Sequence, residues 1–310
     1  MKNTPIFIAG HRGLAGSAIL RNLQSRGYTN LITRTHAELD LTQAADVNAF
    51  FEQTRPKIVI LAAAKVGGIK ANSTWPADFI LQNISIQTAV INAALKYNVE
   101  RFLFLGSSCI YPRECPQPIK EEYLLTSALE PTNEPYAIAK IAGLKMCEAI
   151  QKQYGKRYLA VMPTNLYGPG DNYNLVTSHV IPAILRKIHQ AKIEHAPTVE
   201  LWGTGAPRRE FLYIDDMADA CMHLLLNTNA NELTNIGTGT DITIKELAHL
   251  IAKTVDYKGQ IVFDHIHPDG TPQKLLDISK LKSYGWTPKT SLEDGLKHTY
   301  QDFLNGNFRE

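Results

Sequence analysis

Two hydrophobic patterns take turns through the first half of the chain. Short β-branched or aliphatic runs at 6–9, 31–33, 58–61, 101–105 and 158–162 predict strands. Longer stretches with helical spacing at 14–25, 44–53, 76–97 and 135–154 separate them. The runs are apolar throughout rather than alternating, which is what a parallel sheet covered on both faces requires. Strand–helix alternation of this kind implies right-handed βαβ crossovers and an α/β fold, a Rossmann-type doubly wound parallel sheet. From about Thr164 the pattern turns irregular. Helices are predicted at 178–190, 215–226, 244–254 and 291–304, interrupted by loops rich in Gly, Pro and His at 167–174, 202–209 and 265–272. We expect a dinucleotide-type domain over 1–165, to which later segments return. A smaller α+β substrate lobe is expected mainly over 166–310.

The chain has 310 residues, 44% of them hydrophobic, which is ample for a core and excludes disordered and fibrous classes. Its net charge of +2 gives no general pull toward nucleic acid or an anionic membrane, so an anionic partner must be met by a local site. The longest uncharged apolar run, 58–64, falls far short of the roughly 18 residues of a membrane span. The apolar residues 5–10 are cut off at once by His11 and Arg12, unlike a secretory signal. The four cysteines, Cys109, Cys115, Cys147 and Cys221, form no C-x-x-C pair and no zinc-like spacing with histidine. The expectation is therefore a soluble cytoplasmic protein with reduced thiols and no metal.

Gly10-His11-Arg12-Gly13-Leu14-Ala15-Gly16 follows the first strand and opens a helix. In that position the first glycine permits a tight turn, the second a close approach of backbone to a pyrophosphate, and the third close helix–strand packing. The N–H groups of the helix end then face the anion. The spacing is G-x-x-G-x-x-G rather than G-x-G-x-x-G, and its context between strand and helix is what marks it as a dinucleotide site. An NAD site would place an acid at the end of the second strand, about 20 residues on. Here the residues are Thr33-Arg34-Thr35-His36, and the nearest acid is Glu38. Arg12 and Arg34 suit a 2′-phosphate, which favours NADP.

Tyr136 and Lys140 stand at i and i+4 on one helical face. A phenol titrates near pH 10, and an ammonium one turn away is expected to lower that value and make Tyr136 a proton donor to a nascent alkoxide. Ser107 follows the strand 101–105, at the carboxyl edge of the sheet where α/β sites form. Together these elements resemble the short-chain dehydrogenase/reductase superfamily in its extended, nucleotide-sugar form. The resemblance implies that Ser107 polarises the carbonyl, Tyr136 supplies the proton and Lys140 holds the nicotinamide ribose.

Longer strings narrow the resemblance. They include Ala62-Ala63-Ala64-Lys65-Val66-Gly67-Gly68-Ile69, Gly106-Ser107-Ser108-Cys109-Ile110-Tyr111-Pro112 and Glu130-Pro131-Thr132-Asn133-Glu134-Pro135-Tyr136. Met162-Pro163-Thr164-Asn165-Leu166-Tyr167-Gly168-Pro169, Ser178-His179-Val180-Ile181-Pro182, Arg209-Glu210-Phe211-Leu212 and Pro268-Asp269-Gly270-Thr271-Pro272 belong with them. These are similar to the GDP-L-fucose synthase family, over residues 6 to 303. The resemblance implies NADPH-dependent 3,5-epimerisation and 4-keto reduction of GDP-4-keto-6-deoxy-D-mannose. Inverting two carbons beside a ketone needs proton carriers on opposite faces, and the family motifs match these to Cys109 and His179, residue types with tunable near-neutral pKa values. Read alone, Cys109 among apolar neighbours is equally an inert packing cysteine, and His179 a capping or core histidine.

By the same resemblance Leu105, Gly106, Pro163, Asn165, Leu166 and His179 line the cofactor, together with Gly10, His11, Arg12, Gly13, Leu14, Gly16, Arg34 and His36. Lys187, Trp202, Arg209 and Asp269 match positions that hold the GDP-sugar. The family often has a basic residue where this chain has His36, which leaves the NADP-to-NAD ratio open. The resemblance also implies a homodimer through helices 76–97 and 135–154. Two alternatives stand beside it: another extended nucleotide-sugar epimerase or reductase, such as a hexose 4-epimerase that retains NAD and needs no Cys/His pair, and a non-catalytic dinucleotide sensor on the same fold.

Overall fold

The computed structural model describes residues 2–264, 266 and 269–309. Its first half runs β1 (Ile6–Ala9), α1 (Leu14–Ser25), β2 (Leu31–Ile32), α2 (Ala44–Thr54), β3 (Ile58–Leu61), α3 (Ile69–Thr74), α4 (Pro76–Lys96), β4 (Arg101–Leu105), α5 (Glu134–Tyr154) and β5 (Arg157–Pro163). Every residue of β1 and β3 is buried, as their unbroken apolar runs require. Proline opens α4, where its missing N–H costs nothing, and Gly155 closes α5 in the left-handed conformation.

The second half runs β6 (Asn165–Tyr167), α6 (Val180–Ile193), β7 (Thr198–Trp202), β8 (Arg208–Arg209), β9 (Phe211–Tyr213), α7 (Ile214–Met222) and β10 (Thr234–Ile236). It continues through β11 (Ile242–Thr243), α8 (Ile244–Val255), β12 (Gln260–Asp264), β13 (Gln273–Lys274), α9 (Ser279–Ser283) and α10 (Leu292–Leu304). The helix expected over 215–226 is α7 continued by a wider π-turn, His223–Asn227. Arg101 and Arg157 donate to the carbonyls of residues 224–230 where that turn leaves them without helical partners. The short strands of this half had no periodicity to betray them.

Six strands form one parallel sheet in the order β10-β5-β4-β3-β1-β2. The chain leaves β1 for β2 on one side and returns to β3 on the other, so a crevice opens between the carboxyl ends of β1 and β3, where such sheets bind ligands. The main core gathers Phe7, Ile60, Leu103 and Leu159 with the later Ile214, Met217, Ile236 and Trp286, so residues well past 165 pack with the first half. A second core, around Tyr173, Leu185, Leu247, Leu296 and Phe303, lies among α6, α8 and α10. Smaller sheets surround it: β11-β8-β13, β12-β7 and β6-β9. Among the described residues no helix is long and apolar enough to cross a membrane.

Candidate active site

The turn after β1 is shaped by two glycines. Gly10 has φ +87°, and a Cβ there would lie 2.6 Å from the Ala63 backbone nitrogen. A Cβ on Gly16 would lie 2.1 Å from the Gly10 carbonyl oxygen, so only glycine lets α1 start this close to β1. No side chain caps α1 and its first turn holds no acid, which leaves its N–H groups and positive dipole end for an anion. Beside them His11 Nδ1 is buried without a partner, and burial, with Arg12 second, holds that imidazole below its ordinary pKa. A cradle that a Cβ would fill, an uncapped helix end and an orphaned ring nitrogen all suit a dinucleotide diphosphate.

At the far end of this crevice Arg12, Arg34 and His36 are exposed. Arg34 rests on the Phe50 ring, 5.4 Å from its centroid, and donates to the Thr33 carbonyl at 2.8 Å. Glu38 does not reach out to a ribose. Its carboxylate accepts from the Thr35 N–H at 2.7 Å and hydroxyl at 2.8 Å, bonds that lower its pKa. Cations are offered here and the nearest acid is spent on a turn.

The end of β4 and the start of α5 hold the residues singled out as candidates for the chemistry. Ser107 caps the short 3₁₀ turn Ser108–Ile110, accepting the Cys109 N–H, and its Oγ lies 2.9 Å from Cys109 Sγ. One turn apart on α5, Tyr136 packs edge-on against Phe79 and Lys140 sits with its ammonium 5.9 Å from the Tyr136 centroid. Lys140 is 4% exposed and donates to the Leu105 carbonyl at 2.8 Å. Burial pushes its pKa down to about 8. The phenol, expected to be lowered by this lysine, is instead raised above its ordinary value. Burial is the largest cause, the Cys109 thiolate adds to it, and Ser107 acts the other way. Lys140 cannot reverse this because it too is short of solvation and is committed to Leu105. A phenol held in its protonated form suits a donor that must arrive at an alkoxide with its proton.

His179 precedes α6 and is exposed, while the protein around its ring keeps the imidazole below its ordinary pKa by desolvation. Among the described residues no hydrogen bond joins it to the Ser107–Tyr136 group. The link is through backbone, Gly68 N–H donating to the Thr177 carbonyl at 3.2 Å, which ties the loop after β3 to the segment that delivers His179. Lys187 stands 5.7 Å over the Trp202 ring and donates to the Glu200 carbonyl, beside a cavity of about 400 Å³ lined by Leu175, Arg186, Lys187 and Glu200. Arg209 lies near Asp269, whose charge opposes the lowering of the arginine's pKa by burial. The Asp269 carboxylate also accepts from Thr204 N–H and Oγ1, so it shapes the turn after Trp202. Pro268, which opens its sequence string, lies outside the described residues.

Pro163 closes β5, and Asn165 and Leu166 open β6, so the predicted nicotinamide-side residues follow the sheet's carboxyl edge. Two residues emerge that the sequence reading did not single out for a role. Lys274 pairs in register with Arg209, and its pKa is lowered by burial, raised by the Cys109 thiolate and lowered again by Arg209. Glu210, quoted only within a string, is fully buried on the same strand connection. A larger cavity of about 970 Å³, between α8 and residues 288–292, touches this group only at Arg209 and lies away from the chemistry.

A profile of the NAD dependent epimerase/dehydratase family matches residues 6–237. GDP-L-fucose synthase 1 of Arabidopsis thaliana is 58% identical over 98% of this chain and 94% of its own length. GDP-L-fucose synthase of Escherichia coli (strain K12) is 54% identical over 100% and 99%. Among solved structures, a GDP-L-fucose synthetase from Naegleria fowleri bound to NADP superposes with a TM-score of 0.91 at 27% identity, covering 99% of this chain and 94% of that one.

Proposed function

Since this chain belongs to the NAD dependent epimerase/dehydratase family, we propose the reaction its site supports best: NADPH-dependent conversion of GDP-4-keto-6-deoxy-D-mannose to GDP-L-fucose. The enzyme is an oxidoreductase and an epimerase with NADP(H) as cofactor. The observation that carries the reading is the meeting of two chemistries in one place, a Ser107–Tyr136–Lys140 group and a thiol 2.9 Å from its serine.

The uncapped start of α1 with Gly10, Gly13 and Gly16 holds the cofactor diphosphate, and Arg12, Arg34 and His36 surround its adenosine end. Lys140 holds the nicotinamide ribose, and when bound the cofactor supplies a hydride to the ketone carbon. The remaining steps belong to side chains. Ser107 donates to the ketone oxygen and so acidifies the C–H bonds on either side of it. Cys109 and His179, on opposite faces of the sugar, take a proton from one face and return one to the other, once at each carbon. No electrons leave the sugar in these epimerisations. Tyr136 then gives its proton to the oxygen of the reduced carbon, a transfer that its raised pKa favours only once alkoxide character develops. Lys187, Arg209 and Lys274 neutralise the diphosphate and Trp202 gives the nucleotide a stacking surface, with Asp269 fixing the turn beside it.

We place the enzyme in the cytoplasm, where its four free cysteines stay reduced. It acts as a homodimer through α4 and α5, whose Leu81 and Ile138 are 65% and 43% exposed. Light scattering that found only monomer at micromolar concentration would remove that assignment. The decisive assay supplies the keto sugar, follows NADPH absorbance and identifies the product by NMR. NADPH consumption with GDP-L-fucose is the expected result. An unepimerised deoxy sugar would remove Cys109 and His179 from the mechanism, and no oxidation would overturn the reaction.

A further inference from the structure

Glu210 has no exposed surface, and among the described residues no cation pairs with its side chain. Its carboxylate is instead held by backbone. Oε1 accepts from Thr238 N–H at 2.6 Å and Gly239 N–H at 2.7 Å, and Oε2 from Leu276 N–H at 3.0 Å. A Cβ on Gly237 would lie 2.3 Å from Oε1, so the loop before β11 leaves this space to the carboxylate. The main-chain carbonyl of the same residue points to the cofactor side, accepting from Asn165 Nδ2 at 2.8 Å and Thr164 Oγ1 at 3.2 Å.

The two ends of this one residue thus grip different halves of the site. The donors on the carboxylate flank the two strands that border Arg209. Leu276 is two residues beyond Lys274, and Thr238–Gly239 lead into β11, which pairs with β8. Neither pairing of this short sheet has enough ladder bonds to set its own register, since β8, β11 and β13 contribute two residues each. A buried carboxylate accepting several N–H groups is a strong, directional fastening, and losing one acceptor leaves buried donors unsatisfied.

We infer that Glu210 is a positioning residue: its carboxylate sets the register of β8 against β11 and β13, and so the placement of Arg209 and Lys274 where they meet the substrate's diphosphate. It touches neither substrate nor cofactor. The inference rests on the reaction proposed above for its meaning. Its test reads binding directly, so that the two can fail separately.

Titration calorimetry on Glu210→Gln would measure GDP affinity with NADP⁺ saturating, and NADP⁺ affinity alone. Glutamine matches the shape but turns an amide N–H toward a backbone donor. GDP binding is expected to weaken about tenfold or more while NADP⁺ binding stays within about twofold, because the carbonyl that serves Asn165 is unchanged. Substrate KM should rise in the same proportion, with the KM for NADPH unmoved. Gly237→Ala, which pushes on the carboxylate from the other side, should give the same split and decides the matter if Glu210→Gln does not fold. Unchanged affinities in a folded variant would overturn the inference. So would parallel loss of both, or a lower melting temperature with intact binding, since each describes a purely structural carboxylate. A wild-type enzyme that binds GDP but leaves the keto sugar unreduced would instead overturn the reaction.

Discussion

The cofactor half and the substrate half of this site are held together by different means. Tyr136 and Lys140 stand on a long helix, and Ser107 follows a central strand of the main sheet. β3 and β4 pair at four consecutive positions, β4 and β5 at five, and α5 runs for 21 residues. Arg209 and Lys274 stand on strands of two residues. What secures them is side-chain carboxylate: Glu210 on backbone N–H groups, Asp241 on Arg208 and Gln273, Asp269 on Thr204. A ladder spreads its cooperativity over many bonds, whereas a carboxylate concentrates it in one side chain. The cofactor half should therefore keep its geometry when its reactive groups are removed. The substrate half should lose geometry when residues that touch no ligand are changed.

The hardest test of the first statement is Tyr136→Phe. The ring still packs on Phe79, so the fold and NADPH affinity should be retained while reduction falls by about 10²–10⁴-fold. A loss below tenfold would remove Tyr136 as the proton donor. Cys109→Ser should lower exchange of solvent deuterium into the sugar carbons beside the ketone by a similar factor, read by NMR, with NADPH binding untouched.

The second statement is tested by Asp241→Ala. This side chain is 9% exposed, pairs with Arg208 at 2.8 Å and accepts from Gln273 Nε2 at 2.6 Å, clamping β8 against β13. Its removal leaves Gln273 and Arg208 without their acceptor at a cost of about 1–3 kcal/mol, and substrate KM should rise several-fold with the KM for NADPH constant. Equal movement of both constants would show that the halves are mechanically one.

A poorly solvated charge in each half, Lys140 in one and Asp171 in the other, should pull stability in opposite directions with pH. Lys140 has a folded pKa of about 8 against an ordinary 10.5. Between those values the unfolded chain binds a proton that the folded chain has lost, so stability rises with pH across that window. Asp171, 2% exposed with Oδ2 unpartnered, has its pKa pushed up to about 7 from an ordinary 3.8. There the folded chain keeps a proton the unfolded chain has released. That contribution is complete below the ordinary value and is lost as pH climbs through about 7. Chemical denaturation should show Asp171→Asn stabilising by about 1–2 kcal/mol at pH 8, and Lys140→Met stabilising by a similar amount at pH 7 while abolishing reduction. A pH slope left intact in either variant would assign it to another group.

The same contrast explains what could be read from the amino-acid sequence. The runs that became β1, β3 and β4 are local signals, as is the i, i+4 spacing that put Tyr136 and Lys140 on one face of α5. Gly16 was legible because a third glycine at that spacing lets helix and strand pack closely, and a Cβ there would lie 2.1 Å from the Gly10 carbonyl oxygen. Glu210 and Lys274 were not, because their roles arise from contacts such as Glu210 to Leu276, 66 residues apart, and from two-residue strands that no period marks. The return of Thr234–Ile236 to the main sheet escaped for the same reason. Asp269 was legible as a residue, but not that its carboxylate would be shared with Thr204.

The smallest expected effect lies where the cofactor half is itself made of loose surface groups. Arg12, Arg34 and His36 are exposed and stand on no ladder, so this corner should behave like the substrate half, responding to each side chain singly. Arg34 is preorganised by the Phe50 face and the Thr33 carbonyl, whereas His36 is 84% exposed and meets Asp40 only at 3.8 Å. A planar guanidinium binds phosphate through paired hydrogen bonds and carries its charge at every working pH, neither of which imidazole offers. His36→Arg should accordingly tighten NADPH by about threefold, with NADH unchanged, while Arg34→Ala weakens NADPH by about tenfold. Both effects should shrink as salt is raised, because exposed ion pairs are screened within about 10 Å at moderate ionic strength. If His36→Arg tightened NADH equally, the gain would come from the shared diphosphate rather than the 2′-phosphate, and the three residues would not form the cofactor-discriminating corner.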